Sequence, residues 1–154
     1  MSLGAAETAP TIIVLDASGS MRERIKGETK MNIAKRAIRE LVESLPENAT
    51  LGLVVYSHRK GNDCDDIELL IAPGKVDKPA FIAAVDAIKP NGRTPLSGAL
   101  EFTARALDHA RRPANVILLS DGVETCGKDP CKTIAKLEAD AHQLTVHTVA
   151  FDLS

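Results

Sequence analysis

The residues in this chain best suited to chemistry are a set of hard oxygen donors spread over distant segments. Asp16, Ser18 and Ser20 alternate in DASGSM, Thr94 stands in GRTPL, and Asp121 closes the apolar run of LLSDG. Carboxylates and hydroxyls are ligands for a hard divalent cation. Magnesium prefers about six oxygens in near-octahedral array and usually keeps several waters, so a few side chains suffice. Most of these donors are neutral. If the hydroxyls bind directly and the carboxylates act partly through water, the protein incompletely neutralises the ion, which then seeks a carboxylate from outside. Such a site is a docking point for an acidic side chain of a partner. The small, hydroxyl-rich set and the lack of a long acidic loop favour magnesium, with manganese and calcium as alternatives.

For these donors to meet, the elements carrying them must end at one edge of a sheet. TIIVLD, from Thr11, begins as a run of apolar, β-branched residues before Asp16, the pattern of a parallel strand buried on both faces. Its C-terminal end is where open α/β sheets place their ligands. The charged segment MRERIKGETK reads as a turn, and Met31, Ala34, Ile38, Leu41, Val42 and Leu45 follow at helical spacing until Pro46. Leu51 to Tyr56 and Glu68 to Ile71 are two further strands. The short polar link SHRKGNDCDD between them predicts a hairpin, with the second strand antiparallel at the sheet edge. Asp77 is placed to cap a helix with Pro79 in its first turn and Phe81, Ile82, Val85 and Ile88 on one face.

PNGRTP then leads into a helix from Pro95 with Leu96, Leu100, Thr103 and Leu107 on one face, so Thr94 sits just before that helix. Asn115 to Ser120 is a strand ending in Asp121 and Gly122. Pro130 opens a helix with Ile134, Leu137 and Ala141, and Leu144 to Phe151 is the last strand. The order β-α-β-β-α-α-β-α-β predicts an α/β fold: a mostly parallel sheet with helices on both faces, and right-handed crossovers that bring the parallel strand ends together.

The 154 residues suit one domain with one core. With 44% hydrophobic and 26% charged residues and a net charge of -2, there is no electrostatic reason to expect nucleic acid or an anionic membrane. The apolar runs are strand-sized, well below the roughly 20 residues of a membrane span. The opening MSLGAAETAP, residues 1–10, reads as a leader or linker remnant without the apolar stretch of a signal peptide. Three cysteines are an odd count. Cys126 and Cys131 flank Gly127 and Pro130, which turn the chain, so proximity ranks a Cys126–Cys131 disulfide first. Cys64, in the hairpin connection, competes for either partner, and three reduced thiols are the alternative. His58, His109 and His142 fall in loop or helix-end positions and are expected to be solvated, whereas His147 alternates within a strand and is expected to pack.

Each donor has an ordinary explanation. Thr94 can be a helix cap, and Asp16 and Asp121 can be strand-end acids; their joint occurrence on these elements favours the site. The DxSxS spacing of Asp16, Ser18 and Ser20, with Thr94 in GRTPL and Asp121 in LLSDG, resembles the von Willebrand factor A domain. All five positions of that family's metal-ion-dependent adhesion site are filled. Carried over, the resemblance implies that Asp16, Ser18, Ser20, Thr94 and Asp121 are the metal residues. It implies a Rossmann-like, doubly wound sheet over residues 11–154, lacking the family's last helix and strand, and binding of a protein partner through the metal. The cysteines beside DGVET resemble those of bacterial extracytoplasmic members, which favours an oxidising compartment over the cytoplasm.

Two other functions compete. A haloacid-dehalogenase-like phosphatase also places an Asp after a buried strand, but it requires a second Asp two positions later, where Ser18 stands here, and no suitable Lys precedes Asp121. No phosphate-cradling loop, nucleophile elbow or Ser-His-Asp set is present, so no enzymatic activity is expected. The other alternative keeps the fold as an intracellular assembly subunit of a chelatase or ATPase-type complex.

Overall fold

A computed structural model of the chain describes residues 10–59, 63–106, 114–121, 126–127, 129–140 and 144–150. Strand β1 (Thr11–Asp16) leads through a 3-10 turn (Gly19–Arg22) into two short strands, β2 (Arg24–Ile25) and β3 (Glu28–Thr29). Then come α1 (Lys30–Ser44), β4 (Thr50–Tyr56), β5 (Ile67–Lys75), α2 (Lys78–Asp86), α3 (Leu96–Ala106), β6 (Ala114–Ser120), α4 (Pro130–Asp140) and β7 (Leu144–Ala150). The main sheet has the order β5-β4-β1-β6-β7. Every pairing is parallel except β4 with β5, the antiparallel edge pair that the short polar link predicts.

Alternation along β1 explains the two layers of helices. Ile13 and Leu15 face one way, into a core with Met31, Ala34, Ile38 and Val42 of α1 and Phe81 and Val85 of α2. Ile12 and Val14 face the other way, against Ala99, Leu100 and Ala104 of α3 and Leu137 of α4. A central strand covered on both sides has no polar face to present, hence its unbroken apolar sequence. Both inner helix starts on the first face are capped by side chains. Thr29 accepts a hydrogen bond from the Asn32 amide at 3.1 Å, and Asp77 accepts one from Ala80 at 3.2 Å.

The segment expected to be a plain turn after β1 holds more structure. β2 and β3 form a two-residue hairpin, with Ile25 opposite Glu28. Its corner, Lys26 and Gly27, has positive φ at both positions (52° and 86°), the backbone that a tight hairpin of this hand requires. β5 runs to Lys75, well past the predicted Ile71, because its pairing with β4 shifts register around Leu53 and resumes beyond the irregularity. Leu107, Ala141 and Phe151 lie outside the described residues.

Candidate metal site

Asp16 ends β1 with no exposed surface. The Ser18 amide donates to its Oδ1 at 2.8 Å, a local turn that brings the Ser18 side chain back over the strand end. Ser18 Oγ and Ser20 Oγ are 3.1 Å apart, so the alternating spacing does place both hydroxyls on one side. Ser20 Oγ in turn donates to Asp121 Oδ2, across 101 residues of sequence. That contact follows from the sheet: β6 lies beside β1 in parallel, so the segments leaving both strands emerge at the same edge.

The third segment is held by backbone. Gly19 donates to the Gly92 carbonyl at 2.9 Å and Asn91 to the Ala17 carbonyl at 2.7 Å, and Ser18 and Gly92 form a parallel bridge. Ser57, just past β4, has φ 67°, rare for a residue with a side chain. In that conformation its carbonyl accepts from Gly92 at 2.9 Å and its hydroxyl donates to the Arg93 carbonyl. Thr94, the next residue, is thereby fixed and is 3% exposed. The fold thus brings Asp16, Ser18, Ser20 and Asp121 into one hydrogen-bonded cluster and buries Thr94 two residues after Gly92, which bridges to Ser18.

Three further residues surround the cluster. Ser120 Oγ donates to Asp16 Oδ2 at 2.7 Å and lies 3.2 Å from the hydroxyl of Tyr56. Lys30, the first residue of α1, sends a buried ammonium to Glu23 Oε1 at 2.9 Å and to within 3.6 Å of Asp121 Oδ2. The sequence signals for these were a hydroxyl ending an apolar strand and a lysine opening an apolar helix face. Neither is specific without the fold.

Burial pushes the Asp16 carboxyl above the usual carboxylate range; hydrogen bonds from Ser18 and Ser120 work against that rise, and the Asp121 charge adds to it. Burial, with the Asp16 charge next, pushes the Tyr56 phenol well above its ordinary value. Two carboxylates in a shared buried site are costly unless a cation answers them. One oxygen makes the point directly: Asp121 Oδ1 is buried and has no hydrogen-bond partner, although the side chain is only 4% exposed. An acceptor-only atom of this kind, beside paired hydroxyls and a second carboxylate, fits a hard cation. Among the described residues no group of three or more His, Cys, Asp or Glu comes together, so the donors here are two carboxylates and hydroxyls.

The cysteines pair differently from the ranking by proximity. The disulfide joins Cys64 to Cys126, with Cα atoms 5.9 Å apart, and Cys131 is a free, exposed thiol. The Cys126–Cys131 bridge is therefore corrected. Cys131 lies in the first turn of α4, where its amide donates to Asp129, while the sheet carries the β4–β5 connection to the edge where the segment after β6 emerges. Two histidine expectations are also reversed. His58 is largely buried and sits 2.9 Å from Glu68 through Nε2, and His147 is exposed on the edge strand β7. His109, His142 and Gly122 lie outside the described residues.

With this geometry in place, comparison with known proteins gives the class. The family model for the von Willebrand factor type A domain matches residues 11–124, and the chain belongs to that family. It is 34% identical over 153 residues to the uncharacterized protein YwmC of Bacillus subtilis (strain 168), covering 94% of this chain and 66% of that protein. The chain therefore spans just under two thirds of that relative's length. Proximal thread matrix protein 1 from the mussel byssus, solved with a zinc-occupied MIDAS motif, has a TM-score of 0.68 at 19% identity, over 92% of this chain and 37% of that one. The three N-terminal domains of the type V pili tip protein Mfa5 from Porphyromonas gingivalis give 0.58 at 21% identity, over 74% and 20%. At these identities the structural likeness shows the fold.

Proposed function

We propose that Asp16, Ser18, Ser20, Thr94 and Asp121 together hold one divalent cation, and that the domain uses it to bind a protein partner through an acidic side chain. The observation that carries this is the buried, unpartnered Asp121 Oδ1 next to the Ser18–Ser20 hydroxyl pair and the buried Asp16. The bound cation would supply an incompletely neutralised charge at the sheet edge, and magnesium suits the donor set best, ahead of manganese and calcium. The zinc-occupied motif of the byssus protein supports a divalent ion at this place in the fold.

The protein's own groups do the rest. Ser120 holds Asp16 in place, the 91–93 backbone fixes Thr94, and Ser20 orients Asp121. The reading is of a non-enzymatic interaction or adhesion module, in which the Ser20 hydroxyl bonded to Asp121 serves the cation and not a nucleophilic step. The Cys64–Cys126 disulfide supports an extracytoplasmic setting over the intracellular assembly subunit. Among the described residues no helix is long and apolar enough to cross a membrane.

The test is calorimetric titration of magnesium and manganese into the native chain and into Asp16→Ala, with chelator as the reversal. Binding lost in the variant is the expected result. Equal heats from both proteins would place any metal elsewhere.

A further inference from the structure

Lys30 stands where neither helix formation nor packing asks for a lysine. It is the first residue of α1, whose N-terminal end is electropositive, and no acidic residue lies in that helix's first turn. Its side chain is 6% exposed, and a buried ammonium is expensive unless it is paired. Among its partners are Glu23 at 2.9 Å and Asp121 at 3.6 Å. The backbone reinforces the arrangement: the Lys30 amide donates to the Glu23 carbonyl at 2.8 Å, closing the base of the β2–β3 hairpin. The two carboxylates differ in setting. Asp121 is buried in the cluster, whereas the Glu23 side chain is 65% exposed at the rim.

We propose that Lys30 is the internal counter-cation of this site and sets its metal affinity, with Glu23 as the carboxylate that retains the ammonium when a divalent ion binds. This rests on the cation reading of the cluster. In the metal-free protein the ammonium offsets part of the charge of Asp121. A divalent ion beside Asp121 meets a like charge a few ångströms away, so binding occurs against repulsion that Glu23 moderates. Lys30 is thus a positioning residue, and the affinity of the site is held below what its oxygen donors alone would give. Partner binding then switches on only above a threshold concentration of metal.

The experiment is manganese titration, by calorimetry, of the native chain, Lys30→Met and Glu23→Gln, together with melting curves in chelator and in saturating manganese. Lys30→Met is expected to bind manganese about tenfold more tightly, the scale of removing one like charge at such a distance. Glu23→Gln, a change at a carboxylate whose side chain is 65% exposed and which leaves Asp121 beside the ammonium, is expected to bind several-fold more weakly. Lys30→Met is also expected to melt below the native chain in chelator and to recover that deficit in manganese, which a purely structural lysine would not do. Unchanged or weaker binding in Lys30→Met overturns the inference. If that variant does not fold, unchanged or tighter binding in Glu23→Gln overturns it. Binding by the native chain with neither variant shifted removes this inference alone, whereas no binding by any of the three removes the metal reading and this inference with it.

Discussion

Ser120 shows how one small side chain can join the core to the site. The Tyr56 O–H donates to Ser120 Oγ at 3.2 Å, and Ser120 donates its own proton to Asp16 Oδ2 at 2.7 Å. The relay runs toward the carboxylate: Ser120 has one proton, which it gives to Asp16, so it accepts from the tyrosine. Ser120→Ala strips a partner from a buried phenol and from a buried carboxylate at once. Leaving a buried polar group unsatisfied costs about 1–3 kcal/mol. Urea denaturation in chelator should show Ser120→Ala less stable by about 2 kcal/mol or more, and Tyr56→Phe by about 1 kcal/mol, because the phenylalanine leaves Asp16 its bond to Ser120.

At the scale of elements, the hairpin of β4 and β5 depends on a missing side chain. Gly52 lies between Leu51 and Leu53, where the register of the two strands shifts. A Cβ there would stand 2.9 Å from the Ile71 carbonyl oxygen and 3.0 Å from the Pro73 nitrogen, both backbone atoms that no rotamer change can move. Gly52→Ala should therefore destabilise by about 1–3 kcal/mol, the range for overpacking, measured by urea denaturation. A variant as stable as the native chain would mean that the bulge can slide. The same strand leads into Ser57, whose positive φ fixes the backbone before Thr94, so a disturbed β4–β5 register should also weaken metal binding.

For the whole molecule, the disulfide matters more than its local geometry suggests. Cys64 and Cys126 are 62 residues apart, and the closed loop contains β5, α2, α3 and β6. A cross-link over a loop of that length stabilises by about 4 kcal/mol through the unfolded chain. Reduction, or paired Cys64→Ser and Cys126→Ser changes, should lower stability by about that amount, and Cys131→Ser should change it little because Cys131 is exposed and free. Thiol counting should find one reactive thiol in the native protein and three after reduction and unfolding.

Much of this was legible in the linear chain. The unbroken apolar run of Thr11 to Leu15 implied a strand covered on both faces, since a half-exposed strand alternates, and the polar link after Tyr56 implied the antiparallel edge pair. Asp16, Ser18, Ser20, Thr94 and Asp121 stood out because their types and spacing sit at strand ends and helix starts. What the chain could not reveal by itself were the partners chosen across space. Proximity in sequence favoured Cys131 for Cys126, yet the parallel sheet carries Cys64 to it. Lys30 and Ser120 had no distinguishing local pattern; the Asp121 contact of one and the Asp16 contact of the other exist only because β6 lies beside β1. The reason is physical. Periodicity and capping are short-range effects that a sequence states directly, whereas charge pairing and disulfide choice depend on distances that only the folded sheet defines.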